Sequence, residues 1–82
     1  MELSEKVMEL VAVGASITAN CQPCLQYHAE KALASGASPG EVKAAIEVGK
    51  QVRKGASAKM DHFSSSLKEK QPAPASRSPC CG

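Results

Sequence analysis

The sequence predicts a small all-α fold, a hairpin or bundle of three to four helices, and three observations carry that expectation. Apolar residues recur at spacings of three and four from Leu3 to Leu67, start and stop signals interrupt them at Asn20, Gly36 and Ser38, and no segment alternates with the period of a strand. The first helix is expected on Leu3, Val7, Leu10, Val11, Gly14, Ile17 and Thr18, running to about Asn20, with Gly14 admitting a neighbouring helix at close range. Asn20 is expected as the N-cap of a second helix beginning at Cys21, where Pro23 falls in the first turn and lacks only an N–H that would be unpaired anyway. Leu25, Ala29, Ala32 and Leu33 carry that helix to Gly36, a residue suited to a left-handed C-cap. Ser38-Pro39-Gly40-Glu41 is a capping box with proline at the first helical position, and it opens a third helix whose buried stripe reads Val42, Ala45, Ile46, Gly49, Val52 and Ala56. Around Gly55 that helix is expected to bend or break, with Met60, Phe63 and Leu67 continuing as a fourth short helix or a bent extension. The folded domain is thus expected at residues 1–68. Residues 69–82, with three prolines between Gln71 and Pro79, read as a flexible tail ending in Cys80-Cys81-Gly82.

A domain of 82 residues buries only about 60% of the surface its unfolded chain exposes. The apolar fraction of 43% comes mainly from Ala and Val, and Tyr27 and Phe63 are the only aromatics, so the core is expected to be thin and to gain burial by self-association. The net charge of +2 is spread along the chain without a basic block, which speaks against a nucleic-acid partner. No apolar run approaches the roughly 20 residues needed to span a bilayer, so no membrane partner is expected either. Residues 1–6 have neither the basic start nor the apolar centre of a secretory signal, and a cytoplasmic location is expected. In that reducing compartment four cysteines read as catalytic, redox-sensing or metal-binding groups rather than as a structural framework.

Cys21, Cys24 and His28 stand at i, i+3 and i+7, which on a helix is a single face. Two thiols and an imidazole therefore share one stripe at the start of the second helix. A helix N-terminus favours negative charge and a nearby imidazole can take the thiol proton, so the pair is suited to supplying a thiolate, the species that attacks a peroxide or a disulfide. The second cysteine lets an oxidised sulfur close into an intramolecular disulfide before it reaches irreversible acids. Glu9 precedes the pair by eleven residues, giving Glu-x11-Cys-x2-Cys-x3-His, and from an antiparallel first helix it can reach the same pocket and relay a proton with His28. Proximity to the helix start favours Cys21 as the leading thiol, whereas standing one turn from His28 favours Cys24.

At these residues the chain resembles the alkyl hydroperoxidase D-like branch of the carboxymuconolactone decarboxylase family, whose pattern of Glu, eleven residues, Cys-x-x-Cys and a following His is matched in place by Glu9, Cys21, Cys24 and His28. Residues 13–20 and the turn from Gly36 to Glu41 are similar to the family as well, and the resemblance covers about residues 2–60. It implies a dithiol enzyme without a cofactor, in which Cys24 attacks the peroxide, Cys21 resolves it, and Glu9 and His28 handle protons. A peroxide or protein disulfide is the implied substrate, with a thiol as electron donor and a homo-trimer or homo-hexamer as the assembly. The best-known hydroperoxidase members carry a second His just before the second Cys, where this chain has Pro23, so the resemblance reaches dithiol chemistry more directly than peroxidase turnover.

A competing reading makes Cys21, Cys24 and His28 three ligands of a metal or metalloid site, with His62, Cys80 or Cys81 as the fourth. Against it, structural zinc sites usually draw on two separate ligand pairs, and the expected folded core has only one. Cys80-Cys81 itself reads three ways: a trap for a soft metal or metalloid, a shuttle of electrons to the core pair, or idle exposed thiols.

Overall fold

A computed structural model of the chain describes residues 2–68 as three helices, α1 (Glu5–Thr18), α2 (Gln22–Ala34) and α3 (Pro39–Lys68), with no strand among the described residues. The expected tail at 69–82, with Cys80 and Cys81, lies outside the described residues. Each helix starts where a side chain can accept an orphan N–H. Ser4 Oγ accepts from Val7 N at 3.2 Å, Ser38 Oγ accepts from Glu41 N at 3.1 Å, and the Glu41 carboxylate accepts from Ser38 N at 3.0 Å, which completes the capping box. Gly36 ends the second segment with φ +104°, the left-handed geometry expected of it.

The central element is α1. It is antiparallel to α2 and parallel to α3, and both pack along it while touching each other little. The core is as thin as the composition implies: Val13, Ala32, Ala37 and Val42 are buried, with Leu10, Leu25, Ala29, Ala45 and Ile46 packed against them. Val13 and Ser16, the most buried side chains of α1, lie off the expected stripe, because a helix flanked on two sides buries an arc set by both neighbours. Ser16 is satisfied there by donating to the Ala12 carbonyl at 2.7 Å. Val7 and Val11, which the periodicity placed inside, instead line an open apolar groove of about 480 Å³ with Leu10, Val48 and Val52.

Where α1 crosses α3, Gly14 and Gly49 let the backbones meet. A Cβ on Gly49 would stand 2.5 Å from the Gly14 carbonyl oxygen and 2.9 Å from Ile17 Cβ. Thr18 Oγ1 seals the crossing by donating toward the Gly14 and Gly49 carbonyls at 3.2 and 3.3 Å.

The expected break at Gly55 does not occur, and there is no separate fourth helix among the described residues: α3 runs unbroken for 30 residues. A helix-interior glycine costs about 1 kcal/mol relative to alanine, less than ending a helix costs when the flanking residues are good helix formers. The consequence is an overhang. Beyond Arg53, α3 leaves α1 behind and exposes Met60, Phe63 and Leu67.

The capping box makes a pH-dependent contribution. The Ser38 N–H bond, followed by the Lys6 ammonium at 3.4 Å, holds the Glu41 carboxyl below its ordinary value of 4.5. A carboxyl lowered in the folded state stabilises the fold above its unfolded value, and that contribution disappears as pH falls through the folded one. Wild type is therefore expected to lose thermal stability on acidification below about pH 4.5, and Glu41→Gln to lose less over the same interval. Parallel Tm-against-pH curves for the two proteins would remove this role from Glu41.

A candidate dithiol site at the start of α2

The turn between α1 and α2 is built by three backbone features. Asn20 adopts φ +56°, a left-handed conformation that asparagine tolerates better than most residues, and it reverses the chain there. Cys21 N then donates to the Ser16 carbonyl at 3.0 Å. Asn20 is therefore not the N-cap, as the local pattern suggested. Cys21 is, with extended φ −105° and ψ 102°, and its Sγ accepts from Cys24 N at 3.3 Å. The helix accordingly begins at Gln22, one residue later than expected, with Pro23 in the first turn.

This geometry places Cys21 Sγ at the positive end of α2, where backbone N–H groups favour an anionic sulfur. Cys21 and Cys24 are bonded as a disulfide with Cα atoms 5.2 Å apart, inside the range that a disulfide spans without backbone movement. Cys21 is half-buried and Cys24 is exposed.

One turn further along α2, His28 Nδ1 lies 2.7 Å from Glu9 Oε1 across the α1–α2 interface, with both side chains mostly covered. A carboxylate accepting from Nδ1–H fixes the ring tautomer and leaves Nε2 as the nitrogen that can take or give a proton. Tyr27 stands edge-on to the His28 ring at a centroid distance of 4.9 Å, and Lys31 Nζ lies 5.9 Å from the Tyr27 ring centre. The structure thus brings Glu9 and His28 into contact and Cys21 and Cys24 into a bond, with the histidine on the helix that carries the cysteines.

Sequence reasoning missed Arg53. Its guanidinium donates to the Ile17 carbonyl at 3.2 Å and to Asn20 Oδ1 at 2.8 Å, tying the Asn20-Cys21 turn to α3. On its own helix Arg53 carries only the signature of a solvated face, and no local signal marks a contact 33 residues away. His62, considered as a metal ligand, is exposed on α3. Among the described residues no group of three or more His, Cys, Asp or Glu side chains is arranged to hold a metal ion. Likewise no described helix is long and apolar enough to cross a membrane.

Neither the curated proteins nor the solved structures yield a significant match to this chain. A family model described as the carboxymuconolactone decarboxylase family matches residues 2–61, a span that holds α1, α2, the cysteine pair and most of α3. The chain belongs to the carboxymuconolactone decarboxylase family, which includes alkyl hydroperoxidase D-like members.

Proposed function

We propose that the protein is a thiol–disulfide oxidoreductase of the alkyl hydroperoxidase D-like kind, reducing a peroxide or a protein disulfide through Cys21 and Cys24 with Glu9 and His28 as its proton relay. The observation that supports this most is the bonded pair at the helix start, with Cys24 open to solution and Cys21 held against an N–H. In the peroxide reaction the Cys24 thiolate attacks one peroxide oxygen, the O–O bond breaks, and the departing oxyanion takes a proton, leaving a sulfenic acid. Cys21 as thiolate then attacks the Cys24 sulfur, the disulfide forms, and the hydroxyl leaves as water after gaining a proton. His28 Nε2, oriented by Glu9, is the group suited to delivering these protons. With a protein disulfide as substrate the same pair is oxidised by two thiol–disulfide exchanges. Pro23, standing where the best-known hydroperoxidases have His, offers no proton there, so exchange with disulfides is the half of the chemistry this site supports more directly.

One equivalent of peroxide given to the reduced protein, followed by alkylation and peptide mass mapping, is expected to yield a Cys21–Cys24 disulfide. Persistence of both free thiols would overturn the reading. Glu9→Gln, which cannot accept from Nδ1–H as an anion, is expected to slow disulfide formation by roughly ten- to a hundredfold. An unchanged rate would remove Glu9 from the proton path.

The working form is proposed to be a homo-oligomer, a trimer or a hexamer of trimer origin, in the reducing environment of the cytoplasm. The thin core, the apolar groove beside Val11 and Val52, and the bare stripe at Met60, Phe63 and Leu67 all favour burial against further copies. Sedimentation of a stable folded monomer would contradict it.

A further inference from the structure

The turn that delivers Cys21 borders a cationic groove on α3 that the reading above leaves unused. We infer that this groove docks a small thiol carrying carboxylates, of the glutathione class, which reduces the Cys21–Cys24 disulfide, an assignment that rests on the dithiol function proposed above and names its electron donor by chemistry.

Size and charge select the ligand. The groove is open, holds about 790 Å³, and takes its polar lining from Asn20, Lys50, Arg53, Lys54, Ser57 and Asp61. That volume falls among sites for small molecules, roughly 300–1,000 Å³. Three cations stand against the one carboxylate of Asp61, so the lining is net positive and attracts an anion. Lys50 also lies 3.5 Å from Glu47, but both side chains are exposed and such a pair holds its lysine weakly. Arg53 supplies the fixed point. Its Nη1 donates to the Ile17 carbonyl at 3.2 Å and to Asn20 Oδ1 at 2.8 Å, which orients the guanidinium plane. Among the described residues both of its bonds use Nη1, which leaves the Nε–Nη2 edge for a carboxylate.

Position ties the groove to the pair. Asn20 lines the groove and is joined to Cys21, whose Cα lies about 3.8 Å from its own. Cys21 and Cys24 are 5.2 Å apart between Cα atoms, so Cys24 stands within about 9 Å of Asn20 by the same measure. An extended tripeptide spans about 10 Å, and one held by a carboxylate in the groove therefore brings its thiol within reach of the disulfide. The thiol gives its proton to solvent, and its sulfur bonds to one sulfur of the pair while the Cys21–Cys24 bond breaks. The electron pair of that bond remains on the other cysteine, which takes a proton from water. A second thiol molecule, likewise deprotonated, attacks the ligand sulfur of the mixed disulfide and releases the remaining cysteine, which is protonated in turn. Two thiol molecules leave as one disulfide, and the pair gains two electrons.

The test uses the full-length chain with Cys80→Ser and Cys81→Ser, so that no other thiol competes, oxidised by one equivalent of peroxide. Reduction of the Cys21–Cys24 disulfide at low ionic strength is followed by quenched alkylation and mass mapping, once with glutathione and once with its dimethyl ester. Dividing the two rates, and comparing the quotient with that for uncharged 2-hydroxyethyl disulfide, removes the intrinsic difference between the thiols. The protein is expected to prefer glutathione by roughly five- to tenfold more than the small disulfide does, since each exposed ion pair contributes about 1.5- to fivefold. Lys50→Gln with Lys54→Gln is expected to lower that preference roughly fivefold, with Arg53 left intact because it holds the turn. Lys43→Gln, which removes a charge from an exposed position of α3 outside the groove, is expected to leave it unchanged. Absence of the preference, its survival in the double variant, or an equal fall in Lys43→Gln each overturns the groove as the docking site. Failure of peroxide to form the Cys21–Cys24 disulfide at all would instead remove the dithiol function, and the donor assignment with it.

Discussion

Gly49→Ala is expected to destabilise the protein by about 1–3 kcal/mol, although alanine is the better helix former by about 1 kcal/mol. The propensity gain is overridden because the added Cβ meets the Gly14 carbonyl oxygen at 2.5 Å and Ile17 Cβ at 2.9 Å. One of those atoms is main chain in the middle of a helix, so relief requires α1 and α3 to part, which loosens the Thr18 bonds and the Val42 and Ala45 contacts on the same seam. In a chain of this size such a loss lowers Tm by roughly 5–20 °C. Gly55→Ala provides the internal comparison. It lies on the same helix with nothing within 4 Å of its added Cβ, so only the propensity remains and stability is expected to rise by about 0.5–1 kcal/mol. Thermal melts showing the two substitutions shifting Tm in the same direction would refute this account of the α1–α3 crossing.

Cys24→Ser is expected to abolish peroxide consumption, with no measurable turnover above the uncatalysed rate, while Cys21→Ser retains a single reaction and then stalls. The difference follows from the proposed roles, in which Cys24, the more exposed residue of the bonded pair, receives the oxidant and Cys21 closes on it. Without Cys21, oxidised Cys24 has no partner in the pair and climbs from sulfenic to sulfinic acid under excess peroxide. Cys21→Ser is also a mild change to the fold, since serine is a strong N-cap and can accept from residue 24 in the place of sulfur. A sulfenic-acid probe followed by mass mapping reads the result. Labelling of Cys21 in Cys24→Ser, and none of Cys24 in Cys21→Ser, would exchange the two roles. That outcome is chemically meaningful, because it is Cys21 whose sulfur accepts the N–H at the positive end of α2.

The parts of this site that were legible along the chain are those where covalent spacing and structure coincide. Cys24 and His28 stand one turn apart because any helix spaces them so, Cys21 is close enough to bond Cys24 from the N-cap, and the Ser38–Glu41 box forms within a single turn. The Glu9–His28 contact was anticipated only from a pattern of spacings, since a lone acid on an amphipathic helix carries no mark of its partner. Asn20 was misplaced by one residue for a local reason: asparagine suits both an N-cap and a left-handed turn, and the cysteine beside it capped the helix instead.

Along its own length, then, the chain determined the helical segments, the Ser38–Glu41 cap, the close spacing of the two cysteines and the shortage of large core residues, since each depends on composition or on interactions within a few residues. Tertiary structure alone decided that Val13 rather than Val11 is buried, that Gly14 and Gly49 face each other, that Arg53 holds the turn before Cys21, and that α3 passes through Gly55 to overhang the rest. These depend on which faces of separate helices meet. That choice is made by packing around α1, whose two neighbours compete for its surface, and no period within one helix encodes it.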